Sequence, residues 1–291
     1  MKGIILAGGA GTRLYPMTKV TTKQLQPVYD KPMIYYPLSF LMLGGISDIL
    51  IISTPQDLDS FKNLLGDGMQ LGIKITYAVQ ESPTGLPDAF VLGENFINGE
   101  DVTLILGDNL FYGDMSFYRD AVVKHKNYEG NIRGRIFAYG ISDPRPYGVV
   151  EFDETMRVIS VEEKPSKPKS NYAIPGLYIF DGSVSERARK LEKSPRGEKE
   201  IVDLMKAYLN ESLLGVQIIS RGVAWLDSGT PETLLEASTF IGAIEKRQGL
   251  KVACLEEIAW RMKYIDDTGF QNLIETIPRS PYKEYLLKIR G

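Results

Sequence analysis

A short apolar run, Ile4-Ile5-Leu6-Ala7, empties into Gly8-Gly9-Ala10-Gly11-Thr12-Arg13-Leu14, and this junction constrains the chain more than any other stretch. An apolar strand that stops at a glycine-rich turn belongs inside a sheet, with its carboxyl end held open. The glycines let successive backbone N–H groups turn toward one anion with no Cβ in the way, and Arg13 adds a fixed fork of donors for phosphate oxygens. Three glycines in four positions would also make an ordinary tight turn; Arg13 tilts the reading toward phosphate. A P-loop needs Lys-Ser/Thr after its last glycine, where Thr12-Arg13 stands, and a dinucleotide fingerprint needs a third glycine where Leu14 stands. Neither an ordinary ATPase nor a Rossmann dehydrogenase is favoured.

At 291 residues, 43% hydrophobic and 24% charged, the chain can bury a substantial core as one large α/β domain or two small ones. Its net charge of −3 leaves no footprint for nucleic acid or an anionic membrane. The ligand is therefore expected to be small, with phosphate recognition confined to a local cluster. There is one cysteine, Cys254, and one histidine, His125, the latter in Lys124-His125-Lys126 and read as part of a solvated helix face. Zinc sites and Ser-His-Asp chemistry are disfavoured, which leaves carboxylates, lysines, arginines and hard metal ions, the vocabulary of phosphoryl and nucleotidyl transfer. The most apolar stretch, around residues 40 to 52, is interrupted by Gly45 and Asp48, and the N-terminus opens on a strand; a reducing cytoplasm is the expected compartment.

Compact apolar runs at 3–7, 49–53, 74–79 and 102–106 alternate with helical patterns at 32–43, 58–65 and 88–95. That alternation predicts a mostly parallel sheet covered on both faces, with ligands gathered in the loops after Ala7, Val79 and Leu106. Beyond residue 130 shorter strands at 136–139, 148–152, 158–162 and 176–180 predict an added antiparallel or mixed layer. Helical patterns return at 198–209 and 231–248, the latter with Thr230 as a cap before Pro231. No repeat or linker divides the chain. It reads as a single domain, 1–291, with a core to about residue 240 and a helical extension over 241–291.

Asp108, in Gly107-Asp108-Asn109, follows the strand at 102–106, and Asp227 lies in Trp225-Leu226-Asp227-Ser228-Gly229-Thr230. Two carboxylates brought together could hold one Mg²⁺ against triphosphate oxygens; each taken singly also fits a turn or helix cap. Lys23-Gln24 and Glu163-Lys164-Pro165 offer mobile point charges suited to phosphate, or ordinary solvated lysines.

The ordered set Gly8-Gly9-x-Gly11-Thr12-Arg13-Leu14, Lys23-Gln24, Lys31-Pro32-Met33-Ile34, Gly107-Asp108-Asn109, Tyr147-Gly148-Val149-Val150-Glu151, Glu163-Lys164-Pro165 and Trp225-Leu226-Asp227 resembles the sugar-nucleotide pyrophosphorylases. Ile34-Tyr35-Tyr36-Pro37-Leu38, Ser53-Thr54-Pro55, Leu65-Gly66-Asp67-Gly68 and Lys167-Pro168-Lys169-Ser170-Asn171-Tyr172 are similar to the branch that couples dTTP to glucose 1-phosphate. The resemblance covers the whole chain. It implies an α/β fold with a Rossmann-like, mixed, mostly parallel sheet, an antiparallel sugar-binding layer and a C-terminal helical extension. It implies Mg²⁺-dependent direct displacement giving dTDP-glucose and pyrophosphate, the first step of dTDP-rhamnose-type deoxysugar synthesis, with UTP the alternative nucleotide.

Carried over residue by residue, the resemblance implies that Leu6, Gly8, Gly9, Gly11, Thr12 and Gln24 wrap the triphosphate. Arg13 grips the departing pyrophosphate, Lys23 contacts phosphates at the reacting centre, and Gln80 and Gly85 read the pyrimidine. Asp108, also a nucleotide contact, and Asp227 hold Mg²⁺; Tyr147, Gly148, Glu163 and Asn171 hold the sugar, and Lys164 binds its 1-phosphate. Arg221, Lys251, Glu257, Ile258 and Arg261 imply a regulatory pocket for dTDP-rhamnose within a homotetramer, though an amphipathic helical cap accounts for each one singly. Ala10, Thr22, Asp114 and Ser228 depart from the family pattern, and Pro87 and Asp88 do so beside the base-reading loop. A non-catalytic sensor on the same fold would predict loss of Arg13, a metal aspartate or Lys164, and all are present.

Overall fold

The alternating first third folds into a parallel unit whose centre is the strand that carries the glycine loop. The computed structural model describes every residue except Ala10, one of the positions departing from the family pattern, and Arg196. The chain runs β1 (Lys2–Ala7), a ribbon of β2 (Pro27–Val28) and β3 (Lys31–Pro32), α1 (Tyr35–Leu43), β4 (Asp48–Ser53), α2 (Leu58–Leu65), β5 (Lys74–Val79), α3 (Asp88–Leu92), α4 (Glu94–Ile97) and β6 (Val102–Leu106). β1 is parallel to β4 on one side and to β6 on the other, with Leu6 opposite both Ile52 and Leu106. β5 lies parallel outside β4. The chain thus reverses its progress across the sheet beside β1, the switch point beyond which α/β sheets collect ligands.

Next come β7 (Asn109–Tyr112), α5 (Ser116–Lys126), β8 (Gly134–Gly140), β9 (Gly148–Phe152), β10 (Val158–Glu163), β11 (Tyr172–Ile174), β12 (Leu177–Phe180), α6 (Val184–Arg189), α7 (Ile201–Asn210), β13 (Leu214–Ile218) and β14 (Ala224–Asp227). β12 runs antiparallel to β6 and joins this layer to the parallel unit, giving a mixed ten-stranded sheet in the order β10-β9-β11-β8-β12-β6-β1-β4-β5, with β13 on β8. β7 and β14 form a separate antiparallel ribbon that sets Asp227 opposite Asn109.

Strand alternation divides the core. Ile5, Ala7, Ile49 and Ile51 face α1, α2 and α5 through Leu38, Leu41, Phe61, Leu65, Phe117 and Tyr118. Ile4, Leu50 and Ile52 face α3, α6 and α7 through Phe90, Val184, Ala188 and Met205. A side-chain period of two produces this split, and burial on both faces explains why the parallel strands read as unbroken apolar runs.

Several boundaries differ from the sequence reading. The pattern at 32–43 begins as strand β3, because Lys31 and Pro32 pair with Val28 and Pro27. The pattern at 88–95 breaks at Gly93 into α3 and α4. Residues 198–200, read as helix, precede α7, because Lys199 bridges to Gly85. β7, β13 and β14 were not visible as strands, being four or five residues long and interrupted by polar or glycine positions. His125, expected on a solvated face, is fully buried, with its Nε2 3.7 Å from the Asp101 carboxylate. The buried stripe Tyr118, Ala121, Val122 and His125 follows the helical period, and that periodicity outweighs the flanking lysines.

The chain closes with α8 (Pro231–Gln248), α9 (Leu255–Arg261), α10 (Asp267–Thr276) and α11 (Pro281–Arg290). α9 packs on α1, and the Tyr264 hydroxyl donates to the Met42 carbonyl at 2.7 Å. Cys254, Phe270, Ile274 and Leu286 form a small core of their own, over which Trp260 stacks on Phe270. Burial pushes the Cys254 thiol up to about 12, which removes it as a nucleophile. Among the described residues no helix is long and apolar enough to cross a membrane.

Thr230 caps α8 through a reciprocal pair with Thr233, and Pro231 occupies the first turn. Thr230→Ala is expected to lower stability by about 0.5–2 kcal/mol with an unchanged denaturant slope, measured by urea unfolding.

Candidate active site

Beyond the carboxyl end of β1 a cavity of about 270 Å³ is lined by Gly8, Gly9, Gly11, Thr12, Arg13, Lys23, Gln24, Asp108 and Gly229. Gly11 has φ +56°, the left-handed conformation that glycine adopts without penalty, and it opens the 3₁₀ turn Thr12–Leu14 that presents Arg13. At Gly229 a Cβ would sit 3.2 Å from Arg13 Nη1, so a missing side chain lets the guanidinium lie against the segment that follows Asp227. Lys23 is buried and ion-paired with Asp108. Gln24 accepts the Thr22 hydroxyl through Oε1 at 2.9 Å, a bond that serine in place of threonine would also donate.

A second cavity, about 260 Å³, shares Arg13 and Asp108 with the first and adds Tyr147, Gly148, Glu163, Lys164 and Asp227. Residues from β1, β6, the β8–β9 connection, β10 and β14 therefore converge on one continuous cleft. Lys164 has φ +44°, uncommon for a lysine, and its N–H donates to the Tyr147 carbonyl at 3.1 Å. Tyr147 in turn packs on Trp225, ring centroids 4.9 Å apart. Asp227 is pushed up to about 6, first by burial and then by the Asp108 charge; Lys23, Arg13 and Lys164 oppose the shift without cancelling it. Asp227 thus shares with Asp108 a space whose cations do not fully offset its burial.

Sequence reasoning gave Asn109 no role of its own. Its Oδ1 accepts from Trp225 Nε1 at 2.7 Å and from the Gly176 N–H at 3.0 Å, while its Nδ2 donates to Asp108 Oδ1 at 2.9 Å. One buried amide therefore ties β7 to β14 and to the start of β12, and it orients the Asp108 carboxylate. The only signal in the sequence was its place in the triplet after β6. Lys199 was missed as well. Its N–H donates to the Thr84 carbonyl at 2.9 Å and its Nζ lies 3.3 Å from Asp88, so Asp88 has a counter-ion beside the loop 80–86.

Four expected contacts lie outside the lining of both cavities. Leu6 is half-buried in β1, its carbonyl accepting from Gly107 at 2.9 Å. Gln80 is buried against the glycine loop, where a Cβ on Gly8 would meet its Oε1 at 2.9 Å. Gly85, at φ +113°, is pressed against Lys199, whose carbonyl a Cβ there would reach at 2.1 Å. Asn171 is exposed ahead of β11. Of the residues expected to regulate, Lys251, Glu257, Ile258 and Arg261 line one cavity of about 390 Å³ between α1 and α9, and Arg221 is exposed outside it. Lys251 pairs with Asp30 and Glu245, and Glu257 accepts from Arg261 Nε at 2.7 Å.

The nucleotidyl transferase family profile matches residues 2–243, and the chain belongs to that family. Glucose-1-phosphate thymidylyltransferases from Neisseria meningitidis and Mycobacterium tuberculosis are 53% and 52% identical to it, each over 289 residues covering 99% of both chains. A Bacillus anthracis structure described as a glucose-1-phosphate thymidylyltransferase superposes with a TM-score of 0.76 at 38% identity, covering 82% of this chain and 94% of that one. Within the nucleotidyl transferases, then, this enzyme groups with the glucose-1-phosphate thymidylyltransferases. A UDP-glucose pyrophosphorylase, at 23% identity and a TM-score of 0.73, shares the fold.

An acid held near 6 when folded, against 3.8 ordinarily, binds its proton more tightly in the native state. Stability therefore falls as pH rises from about 4 through 6, and the loss is complete above 6. Metal-free Asp227→Asn should melt above the wild type at pH 8 and level with it at pH 4, in thermal scans with chelator. Asn109→Leu strands the Trp225 and Gly176 N–H donors, each at a cost of ~1–3 kcal/mol; urea unfolding should register that loss.

Proposed function

We propose that the enzyme joins dTTP to glucose 1-phosphate, releasing pyrophosphate and forming dTDP-glucose. What carries the reading is one arrangement: Arg13 and Asp108 border both the glycine-loop cavity and the cavity that holds Lys164, Glu163 and Asp227. Two phosphorylated substrates laid in the two halves would meet there.

A phosphate monoester dianion is already a nucleophile, so the site needs no base to deprotonate it. It must align two anions that repel each other and neutralise charge as the α-phosphorus is attacked and pyrophosphate departs. In this reading Lys164 holds the attacking phosphate and Lys23 the phosphates at the reacting centre. Arg13, with its guanidinium against Gly229, is placed for the pyrophosphate. No histidine is required, and the only one is buried on the inner face of α5.

Asp108 and Asp227 would hold Mg²⁺. The fit rests on their chemistry: two carboxylates on one cavity, one of them raised in pKa by burial and by the other's charge. A hard cation that keeps several waters and takes its remaining oxygens from phosphate suits such a pair. When bound, the ion neutralises triphosphate charge. Placement in the cytoplasm, a tetrameric assembly, service to a dTDP-rhamnose-type pathway and feedback through the α1–α9 cavity complete the proposal; four side chains gathered on that cavity support the last.

Thymine and uracil differ by one methyl, which a hydrophobic contact separates by only ~1–3 kcal/mol. Pyrophosphate release should be fastest with dTTP, slower with UTP and negligible with ATP, and a preference for ATP would refute the assignment. Folded Arg13→Ala should lose about 10²–10³ in kcat, the cost of one preorganised donor to developing charge; near-normal turnover would remove Arg13 from the mechanism.

A further inference from the structure

A cavity of about 880 Å³, much larger than either half of the active site, lies between the end of α5, the β9–β10 turn and β13. None of the site residues assigned above lines it. Its wall carries Arg135 of β8, only 6% exposed, with an Nε that is buried and has no hydrogen-bond partner. Among the described residues the guanidinium has no ion pair. Glu129, also on the wall, acts on it only at longer range, and burial pulls the Arg135 pKa down. The other acid on the wall, Asp153, is taken by Thr155 and by Arg157, whose Nε lies 3.1 Å away.

A guanidinium stays charged throughout the range proteins meet, so the fold carries a largely buried cation with no ion pair among the described residues. Gly215, opposite Arg135 across the β8–β13 pair, keeps the sheet surface clear for it: a Cβ there would meet Ile132 at 2.9 Å and Arg135 Nη1 at 3.4 Å. Beside Arg135 the wall includes the apolar side chains of Ile132 and Met156. A space of this size exceeds what an inorganic anion fills and falls within the range of small-molecule sites.

We propose that this cavity is a second ligand site, for a small organic oxyanion whose charged group takes the Arg135 fork and whose body lies against Ile132 and Met156. Planar carboxylates and phosphate esters both match a guanidinium. The probes are therefore citrate for the first and glycerol 2-phosphate for the second, titrated calorimetrically into Arg13→Ala protein so that the phosphate-binding cleft is weakened. Saturable binding of at least one probe is expected, weakened tenfold or more by adding Arg135→Lys and abolished by adding Arg135→Met. Without ligand, Arg135→Met should melt at or above the wild type, since it removes an uncompensated buried charge. A crystal of the unmutated enzyme grown with the binding probe should show its oxyanion on Arg135. Three results would overturn the proposal: no saturable heat with either probe, equal binding after Arg135→Met, or no binding together with a smaller assembly in Arg135→Met, which would make this face a contact between copies.

Discussion

The hydrogen bonds of one buried amide hold the candidate active site together. Asp108 follows a strand of the main sheet, whereas Asp227 arrives at the end of a ribbon more than a hundred residues later, set opposite Asn109 by the β7–β14 ladder. Asn109 spans the gap. It accepts from Trp225 two residues before Asp227, accepts from the start of β12, and donates to the carboxylate of its own neighbour. Because its partners are buried, moving any of them would strand a donor, so the two acids are fixed relative to one another by the cost of leaving polar groups unpaired. Everything on the second cavity follows: Tyr147 packs on the same Trp225, and Lys164 is bonded to Tyr147.

Electrostatics then decide what that geometry can hold. The protein as a whole is mildly acidic, so an anionic substrate gains nothing from its overall field. Attraction comes from Arg13, Lys23 and Lys164 converging from β1, the segment after it, and the end of β10. Even these leave Asp227 with a raised affinity for its proton, a consequence of burial beside Asp108. A buried acid beside a second carboxylate favours the arrival of positive charge.

The C-terminal helices couple to this core through α1 rather than through the sheet. α1 is buried on nearly every side, and its outer surface is closed by α9 and by Tyr264. Between them lies the cavity that holds Lys251, Glu257, Ile258 and Arg261. The buried Lys31 pairs with Glu245 of α8, so the ribbon β2–β3 is also fastened to the extension. α1 and the β2–β3 ribbon thus connect the extension to the segment that carries Lys23.

The parallel strands, the glycine loop, the α8 cap and the residue types of the site were all legible in the sequence, because each is encoded locally. Strands buried on both faces are unbroken apolar runs, a phosphate turn needs glycines and a fixed donor, and a helix start carries its own cap. What tertiary structure alone decided is everything that depends on distant partners. β7 and β14 exist because they pair with each other, not because either has a strand's pattern. His125 is buried because its helix turns that face to the sheet, and residues 198–200 leave the helical path because Lys199 bonds across to Thr84. The roles of Asn109 and Arg135 have no signature in the chain at all, since an asparagine that joins three segments and an arginine left without a counter-ion are defined only by what folding places around them.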